Sequence, residues 1–515
     1  MSKIAGYDDL SAGAGGGGGF GALTASAVVF RFTFSGTPVY VSLSGGFGGW
    51  TMNAIGLVPE TVVNTTFTNL GAGTRIVMLD ATYPLQAAGL AFSANQQALE
   101  GQGRGTFIDG DALGNLVHAI NLSGYDDCEI KHLSVQTDDT GLLFSHCIFI
   151  EDGADRFLVE GITIVNSTVN SDGIHVEGTS IVGGWILRCT ILDAGDEGIL
   201  VDMDAGNTMT DLNIGDCHIL RTTGGSAIEI RDTAHSVIYN NVFQTQGIVL
   251  YNTVHHVDIV DNIFHDLWFE AVALNGSYYC HVADNVCYNM DGRGMIVTGD
   301  HNQFLDNVID TVGGLGIGLD VNGDANLIDG NYITGCTAEG INITGGTGNR
   351  IGYTNYLLGN GLCITDGGTD TMTPWIFIPV PNPDASIGQH QGAQLLDGVD
   401  TVVGLEAYVP RIFQQLVTAH AVVLQIDDAA SGNMVWTVAT DFGTICTQSY
   451  NTHEDTAGAT TAITQNELEC LDVSAAFTAL AASDLVGFEF TRDGDHASDT
   501  LDAPCLLLGL RLRYV

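Results

Sequence analysis

Two residue ladders with a shared period run through the middle of this chain, and no other feature limits its fold as much. In the first, a small residue precedes alternating apolar positions: Gly173-Ile174-His175-Val176, Gly198-Ile199-Leu200-Val201, Ala227-Ile228-Glu229-Ile230 and Gly247-Ile248-Val249-Leu250. The series continues from Ala271, Gly294, Gly316, Gly340 and Gly361, in steps of 20 to 29 residues. In the second, asparagine precedes an apolar pair at Asn241, Asn262, Asn285, Asn307 and Asn331, in steps of 21 to 24. A repeat this short, with two period-2 runs, cannot bury its apolar face alone, so successive repeats must stack. Stacked parallel strands lie about 4.8 Å apart. At that spacing, one asparagine per coil passes amide hydrogen bonds along the axis, donor to acceptor. The expectation is an all-β chain built on a parallel β-helix of about ten coils.

Composition agrees with this reading. The 515 residues exceed one compact core, and 67 glycines with 15% charged residues suit tight turns better than long amphipathic helices. Sixty acidic residues against 15 basic ones give a formal charge of −45, which repels nucleic acid and keeps a protein dispersed in salty water. The start MSKIAGYDDLSAG has no apolar stretch of a secretory signal, and no apolar run reaches transmembrane length, so membrane insertion is not expected. Cys147, Cys189, Cys217, Cys280, Cys287, Cys336 and Cys363 fall at regular β positions without a CxxC pair, as buried free thiols do.

Four segments are expected. Residues 1–70 hold the Gly15–Gly19 run and a hairpin near Ala27–Leu43, as a cap or a particle-attachment segment. Residues 71–365 form the β-helix. Residues 366–384 carry four of the nine prolines and read as a stiff linker. Residues 385–515 show spaced β runs, at Val402–Val409, Ala421–Asp427, Met434–Ala439, Leu485–Phe490 and Leu506–Tyr514, that suit an antiparallel, jelly-roll-like sandwich.

Thr82-Tyr83 and the stretch Leu99–Ile108 (LEGQGRGTFI) resemble the opening coil of the pectate-lyase superfold, right-handed β-helices found in polysaccharide lyases, glycosidases and bacteriophage tailspikes. The stretch 170–201 resembles the polygalacturonase pattern, with Asn170, Asp172, Asp196 and Glu197 at the matching positions. That resemblance implies Asp172, Asp196 and Glu197 as catalytic carboxylates on neighbouring coils, with a wide separation leaving room for the water of an inverting hydrolysis. Asn170, His175, Glu229 and Arg231 are the expected substrate-binding residues. The chain departs from the pattern at Gly225-Ser226-Ala227, where a histidine turn belongs, and in having no lysine after Lys131.

No cofactor is required by this chemistry. Calcium has one candidate site, Asp320, Asn322, Asp324 and Asn326, whose oxygens alternate as in the start of an EF-hand loop. His255, His256, His265 and His281 form a second metal candidate. The outward residues of the first ladder, from Val249 through Ala273, Ile296 and Gly318 to Cys363, are mostly small or apolar, which predicts a covered face and a homotrimer. The functional expectation is a virion spike or fibre, extracellular after host lysis, that binds a surface polysaccharide or receptor and other virion proteins. A polysaccharide depolymerase, hydrolase or lyase, and a structural capsid-decoration protein are the alternatives on the same fold.

Overall fold

The structure, a computed structural model, describes residues 25–514 apart from 47–48, 138–144, 168–169, 205–206, 252, 353, 370–374, 382, 388–389, 410–412, 414, 426–430, 445–447 and 466. The Gly15–Gly19 run lies outside the described residues. Two compact units divide the chain, Met1–Asn326 and Leu327–Val515.

Each coil contributes one strand to each of three parallel sheets. Thr233–Tyr239, Val242–Gln244 and Ile248–Tyr251 form one such coil, in the first, second and third sheet respectively. The second and third sheets hold twelve strands each, so the right-handed β-helix has about twelve coils, the last two following Leu327. The ladders undercount because they were followed only from Gly173, whereas Gly89-Leu90, Ala119-Ile120 and Cys147-Ile148 open three earlier coils of the same sheet. In the third sheet Ile174, Ile199, Ile228, Ile248, Val272, Met295 and Leu319 stack in register and are 0–1% exposed. Burial of each such side chain is worth about 1.5–3 kcal/mol.

Two parts of the third-sheet register differ from the sequence reading. Ile296 pairs with Asp320, and Asn342 pairs with Thr365, so Asp320 and Thr365 replace Gly318 and Cys363 on the outward line. Residues 313–318 form the turn ahead of the strand, and the two-residue slip preserves the inward alternation that the core demands. This outward line is also sunken: Leu200, Ala273 and Asp320 are only 8%, 5% and 6% exposed.

The asparagine ladder spans the turn between the first and second sheets. Oδ1 of Asn262, Asn285 and Asn307 accepts the backbone N–H of Asn241, Asn262 and Asn285, at 3.0, 3.0 and 3.1 Å. Nδ2 of Asn241, Asn262 and Asn285 donates to the carbonyls of Ile214, Ile238 and Ile259, and also to the next asparagine's Oδ1. Before each ladder residue stands one in the left-handed region, Asn240, Asp261, Asp284 or Asp306, with φ of 53–57°. Asn and Asp tolerate that conformation best among residues with a side chain, so part of the chain's acidity is turn chemistry. In earlier coils the ladder position is filled by the buried Cys189 and Cys217.

At the amino-terminal end, Ala25–Phe34 and Thr37–Gly46 form an antiparallel hairpin whose first strand joins the first sheet by pairing with Thr74–Met78. The helix Pro59–Leu70 buries Val62, Val63 and Phe67, and Phe67 stacks on Phe92 with centroids 5.0 Å apart. Gln97 Nε2 donates to the carbonyls of Phe67 and Gly71, supplying partners at the helix end. No described helix is long and apolar enough to cross a membrane.

In the second unit, the coil strands are followed by two antiparallel sheets. One contains His390–Leu395, Cys505–Tyr514, Leu416–Gln425 and Leu468–Asp472; the other contains Asp400–Tyr408, Asp484–Asp493, Gly432–Thr444 and His453–Ile463. Trp436, Phe442, Phe488, Phe490, Leu507 and Leu510 share the core. Trp375–Pro379, read from sequence as linker, is a strand paired with Gly509–Arg513. Its apolar run alternates in burial, with Ile376 and Ile378 half-buried and Phe377 exposed, and Pro379 is tolerated at the strand end. The fully buried Arg492 is neutralised by Asp499 at 2.8 Å.

Replacing Asn262 by alanine leaves the Asn241 N–H and the Ile238 carbonyl unpaired inside the solenoid. The expected loss is about 2–3 kcal/mol, seen as a lower urea midpoint. An unchanged midpoint would remove the ladder from the list of stabilising interactions.

Candidate functional site

Three columns, each adding one residue per coil, build a pocket on the outer face of the third sheet. His118, His146, Asp172 and Glu197 stand at the turn, two residues before the inward Ile120, Ile148, Ile174 and Ile199. Phe149, His175, Leu200 and Glu229 are register partners on the outward line. Glu177, Asp202, Arg231 and Tyr251 form the third column, two residues further along each strand.

The turn column caps its own backbone. His118 Nδ1 accepts the N–H of His146 at 3.2 Å, His146 Nδ1 accepts the N–H of Asp172 at 2.9 Å, and Asp172 Oδ1 accepts the N–H of Glu197 at 3.0 Å. An imidazole that accepts at Nδ1 carries its proton on Nε2, which fixes the tautomers of His118 and His146. Burial, with the neighbouring imidazoles, pushes His118 down to about 3.

Asp172 is 2% exposed and its Oδ2 lies 2.8 Å from His175 Nδ1. Burial alone would raise its pKa, but the imidazoles of His146 and His175 hold it well below the usual carboxylate range. His175 is the one with a proton to give, since His146 Nδ1 is already accepting. For His175, burial works downward and is outweighed by Asp172 and Glu177, which lift it to about 9. Its Nε2 lies 3.2 Å from Glu177 Oε2, so a carboxylate faces each ring nitrogen.

Glu197 is pushed the other way. Burial, contact with Asp172 and the charges of Asp172, Asp196 and Glu229 raise it to about 9. A Cβ at Gly225 would collide with the Glu197 carboxyl, so glycine at this turn makes room for this acid. Asp196, more open than Glu197, is raised by burial and by Asp172. Arg231 bonds Glu229 and Asp202, the latter at 2.7 Å, and its guanidinium lies 5.7 Å from the Tyr251 ring centre.

A cavity of about 400 Å³ gathers Asn170, Asp172, His175, Asp196, Glu197 and Arg231, with Glu229 adjoining through Arg231. Carboxylate oxygens of Asp172, Asp196 and Glu197 converge within 4.8 Å, so the wide, water-holding separation expected from the polygalacturonase resemblance is absent. His118, His146, Phe149, Glu177 and Asp202 were missed by sequence reasoning. Their signal was available, because each repeats the spacing of a named residue from the inward isoleucine of its coil.

The calcium candidate is not assembled. Asp320 faces Arg293 Nε at 2.8 Å, and Asn326 spends its amide on the Asn302 N–H and the Gly299 carbonyl, in a second asparagine column at the turn into the first sheet. The EF-hand-like spacing is that of a coil turn. Nor do the four histidines converge. His255 and His256 face each other, with Nδ1 atoms 2.9 Å apart, in the first sheet with His281, whereas His265 lies in the second. Among the described residues, ligand atoms of His146, Asp172 and His175 also lie within 4.8 Å, but Nδ1 of both imidazoles is already engaged.

The fold is that of a right-handed parallel β-helix protein, with a cavity lined by carboxyls and imidazoles on one sheet. The family described as right handed beta helix region matches residues 118–268, and that described as periplasmic copper-binding protein (NosD) matches 211–373. No curated protein matches the chain. Among solved structures, the A-module of mannuronan C-5 epimerase AlgE4 from Azotobacter vinelandii is similar with a TM-score of 0.50 and 14% identity, over 61% of this chain and 94% of that one. The Streptococcus pneumoniae surface protein and adhesin PfbA gives 0.44 and 12%, over 61% and 94%. The Dettilon tailspike protein gives 0.40 and 13%, over 84% and 90%. At these identities the likeness is one of fold.

The Asp172–His175 pair has a checkable titration. His175 is expected to titrate near pH 9 in the native protein and lower in Asp172→Asn, where Glu177 alone opposes burial, read by histidine NMR. The stabilisation from the raised His175 is complete below 6.5 and fades as pH rises through 9, while that from the depressed Asp172 is complete above 3.8 and fades on acidification. The Tm gap between native protein and Asp172→Asn should therefore be widest between these limits. A gap that grows above pH 9 would contradict the assignment.

Proposed function

We propose that this β-helix processes a glycan by acid–base chemistry in the third-sheet cavity. One observation carries the reading: Glu197 is set to hold its proton at neutral pH beside the more open carboxylate of Asp196. Unlike carboxyls in one pocket can divide the roles of glycoside hydrolysis. Glu197 donates its proton to the glycosidic oxygen as the bond to the anomeric carbon breaks, and Asp196 forms the new bond to that carbon. Water then adds at the carbon, giving its proton to the Glu197 carboxylate and releasing Asp196. The close approach of the carboxylates favours this two-step course over direct attack by a water held between them. Asp172 acts as a positioning residue through His175. Asn170, His175 and Arg231 are placed to contact the sugar.

A second reading keeps the same cavity for binding only, on an extracellular virion spike. It is favoured by an exposed apolar line on the second sheet, where Ile263, Val286 and Tyr288 are 39%, 37% and 41% exposed. Side-by-side packing of three copies would cover that line, in place of the sunken third-sheet line chosen from sequence. On this reading sedimentation gives a trimer that Ile263→Asp with Val286→Asp dissociates; a native monomer would remove it.

Reducing-end release from a panel of surface and capsular polysaccharides tests the enzymatic reading. Glu197→Gln and Asp196→Asn should each lower release by roughly 100-fold or more. Native activity should fall above about pH 9, as Glu197 loses its proton. Binding without release by the native protein would favour the spike.

A further inference from the structure

The turn that carries Asp196 repeats on the coils that follow it. Three residues ahead of the stacked, inward Ile199, Ile228, Ile248 and Val272 stand Asp196, Gly225, Thr245 and Phe269. Phe269 therefore lies three coils from Asp196 along the axis, roughly 14 Å at about 4.8 Å per coil. The sheet surface between them is low: after Glu229 its outward residues are Val249 and Ala273, the latter only 5% exposed. Gly225 and Thr245 keep the turns beside it small, and Tyr251, the register partner of Arg231, stands on the other side. A shallow groove thus leaves the cavity at Arg231 and runs along the coil axis.

Trp268 and Phe269 end this groove with two large rings, each 57% exposed. Their backbone is fixed. The Trp268 N–H donates to the Thr245 carbonyl at 3.0 Å, and the Leu267 carbonyl accepts from the Asp291 N–H at 2.8 Å. A Cβ on Gly292, one coil further, would strike the Phe269 backbone, so the coils are in close contact there. Leu267 is the residue of this turn that packs inward, at 1% exposed. Adjacent aromatic rings held in water on a rigid turn add nothing to the core, and paired exposure of this kind marks a contact site.

We propose that Trp268 and Phe269 form a sugar-stacking subsite, and that the substrate is a polysaccharide chain lying along the coil axis, with one unit at the cavity and a later unit on the two rings. This rests on the glycan-processing reading and names the length and direction of its substrate. The C–H faces of a pyranose pack on indole and phenyl rings while its hydroxyls stay in water, which is the environment amphipathic rings favour. Stacking needs no cation. That suits a chain of net charge −45 in which Arg231 is bonded to Asp202 and Glu229, and Arg293 is ion-paired with Glu270 and Asp320. A disaccharide is too short to reach from Asp196 to the rings, so affinity rises with chain length.

Affinity electrophoresis of the full chain tests the proposal, in gels cast with the polysaccharides of the release panel and with galactomannan and alginate as neutral and acidic chains. Mono- and disaccharides from acid hydrolysis of each polymer serve as competitors. A polymer should retard the native protein, with its short fragments competing only weakly. Trp268→Ala with Phe269→Ala should weaken polymer binding roughly tenfold and raise KM for release, while Trp268→Tyr with Phe269→Tyr, which keeps a ring at each position, should retain most of the affinity. Glu197→Gln should lose release and keep the ring-dependent binding. Unchanged polymer binding in the alanine variant overturns the subsite, and release by the native protein then leaves the processing reading standing. A changed sedimentation coefficient in that variant overturns it in favour of a second copy of the chain seated on the rings. Ring-dependent binding without release upholds the subsite and removes processing; absence of both binding and release with every polymer removes the two together.

Discussion

The coil-to-coil hydrogen bond is the interaction on which the rest depends. Parallel strands about 4.8 Å apart leave each turn's backbone groups facing the equivalent groups of the next coil, and a turn inside a solenoid has little water to satisfy them. Asparagine solves this at the turn between the first and second sheets, because one amide supplies both a donor and an acceptor in the direction of stacking. Asn302 and Asn326 solve it again at the turn into the first sheet. The apolar columns provide most of the burial energy, but they would tolerate a slip along the sheet that the amide ladders resist.

The candidate site is the same device made from different residues. Where later coils use asparagine to cap the backbone N–H of the coil before, the turn into the third sheet uses His118, His146 and Asp172 to cap that of the coil after. Substituting ionisable groups for amides at a structural position buries them, and burial with like-charged neighbours separates the behaviour of Asp172 from that of Glu197. Asp172 ionises because His175 donates to it; Glu197 keeps its proton because no cation bonds it. A repeating scaffold thus yields unlike carboxyls from one column of equivalent positions.

Much of this architecture was legible as spacing. The inward isoleucines, the asparagine ladder and the cluster around Asp172, Asp196, Glu197, His175 and Arg231 follow from counting residues between repeats. Other parts were not legible, for identifiable reasons. Early coils lack the asparagine and are marked only by Gly89, Ala119 and Cys147 at irregular spacing, so about two coils went uncounted. Residues 313–318 lengthen a turn by two, which leaves alternation intact and therefore hides the substitution of Asp320 for Gly318. Asp320, Asn322, Asp324 and Asn326 mimic a calcium loop because strand alternation and loop coordination share a period of two, although Asp320 answers Arg293 and Asn326 belongs to a ladder.

By itself the sequence determined the coil, since period, inward alternation and the turn residues are properties of neighbours along the chain. It also determined which residues share a column, because equal spacing from an inward residue means equal position on the next coil. Only the tertiary structure decided what those columns do. Whether a carboxyl meets an imidazole, an arginine or another carboxyl depends on atoms one coil away, and so does its burial. The protonation of Asp172, His175 and Glu197, on which the chemistry rests, is a property of the stacked coils.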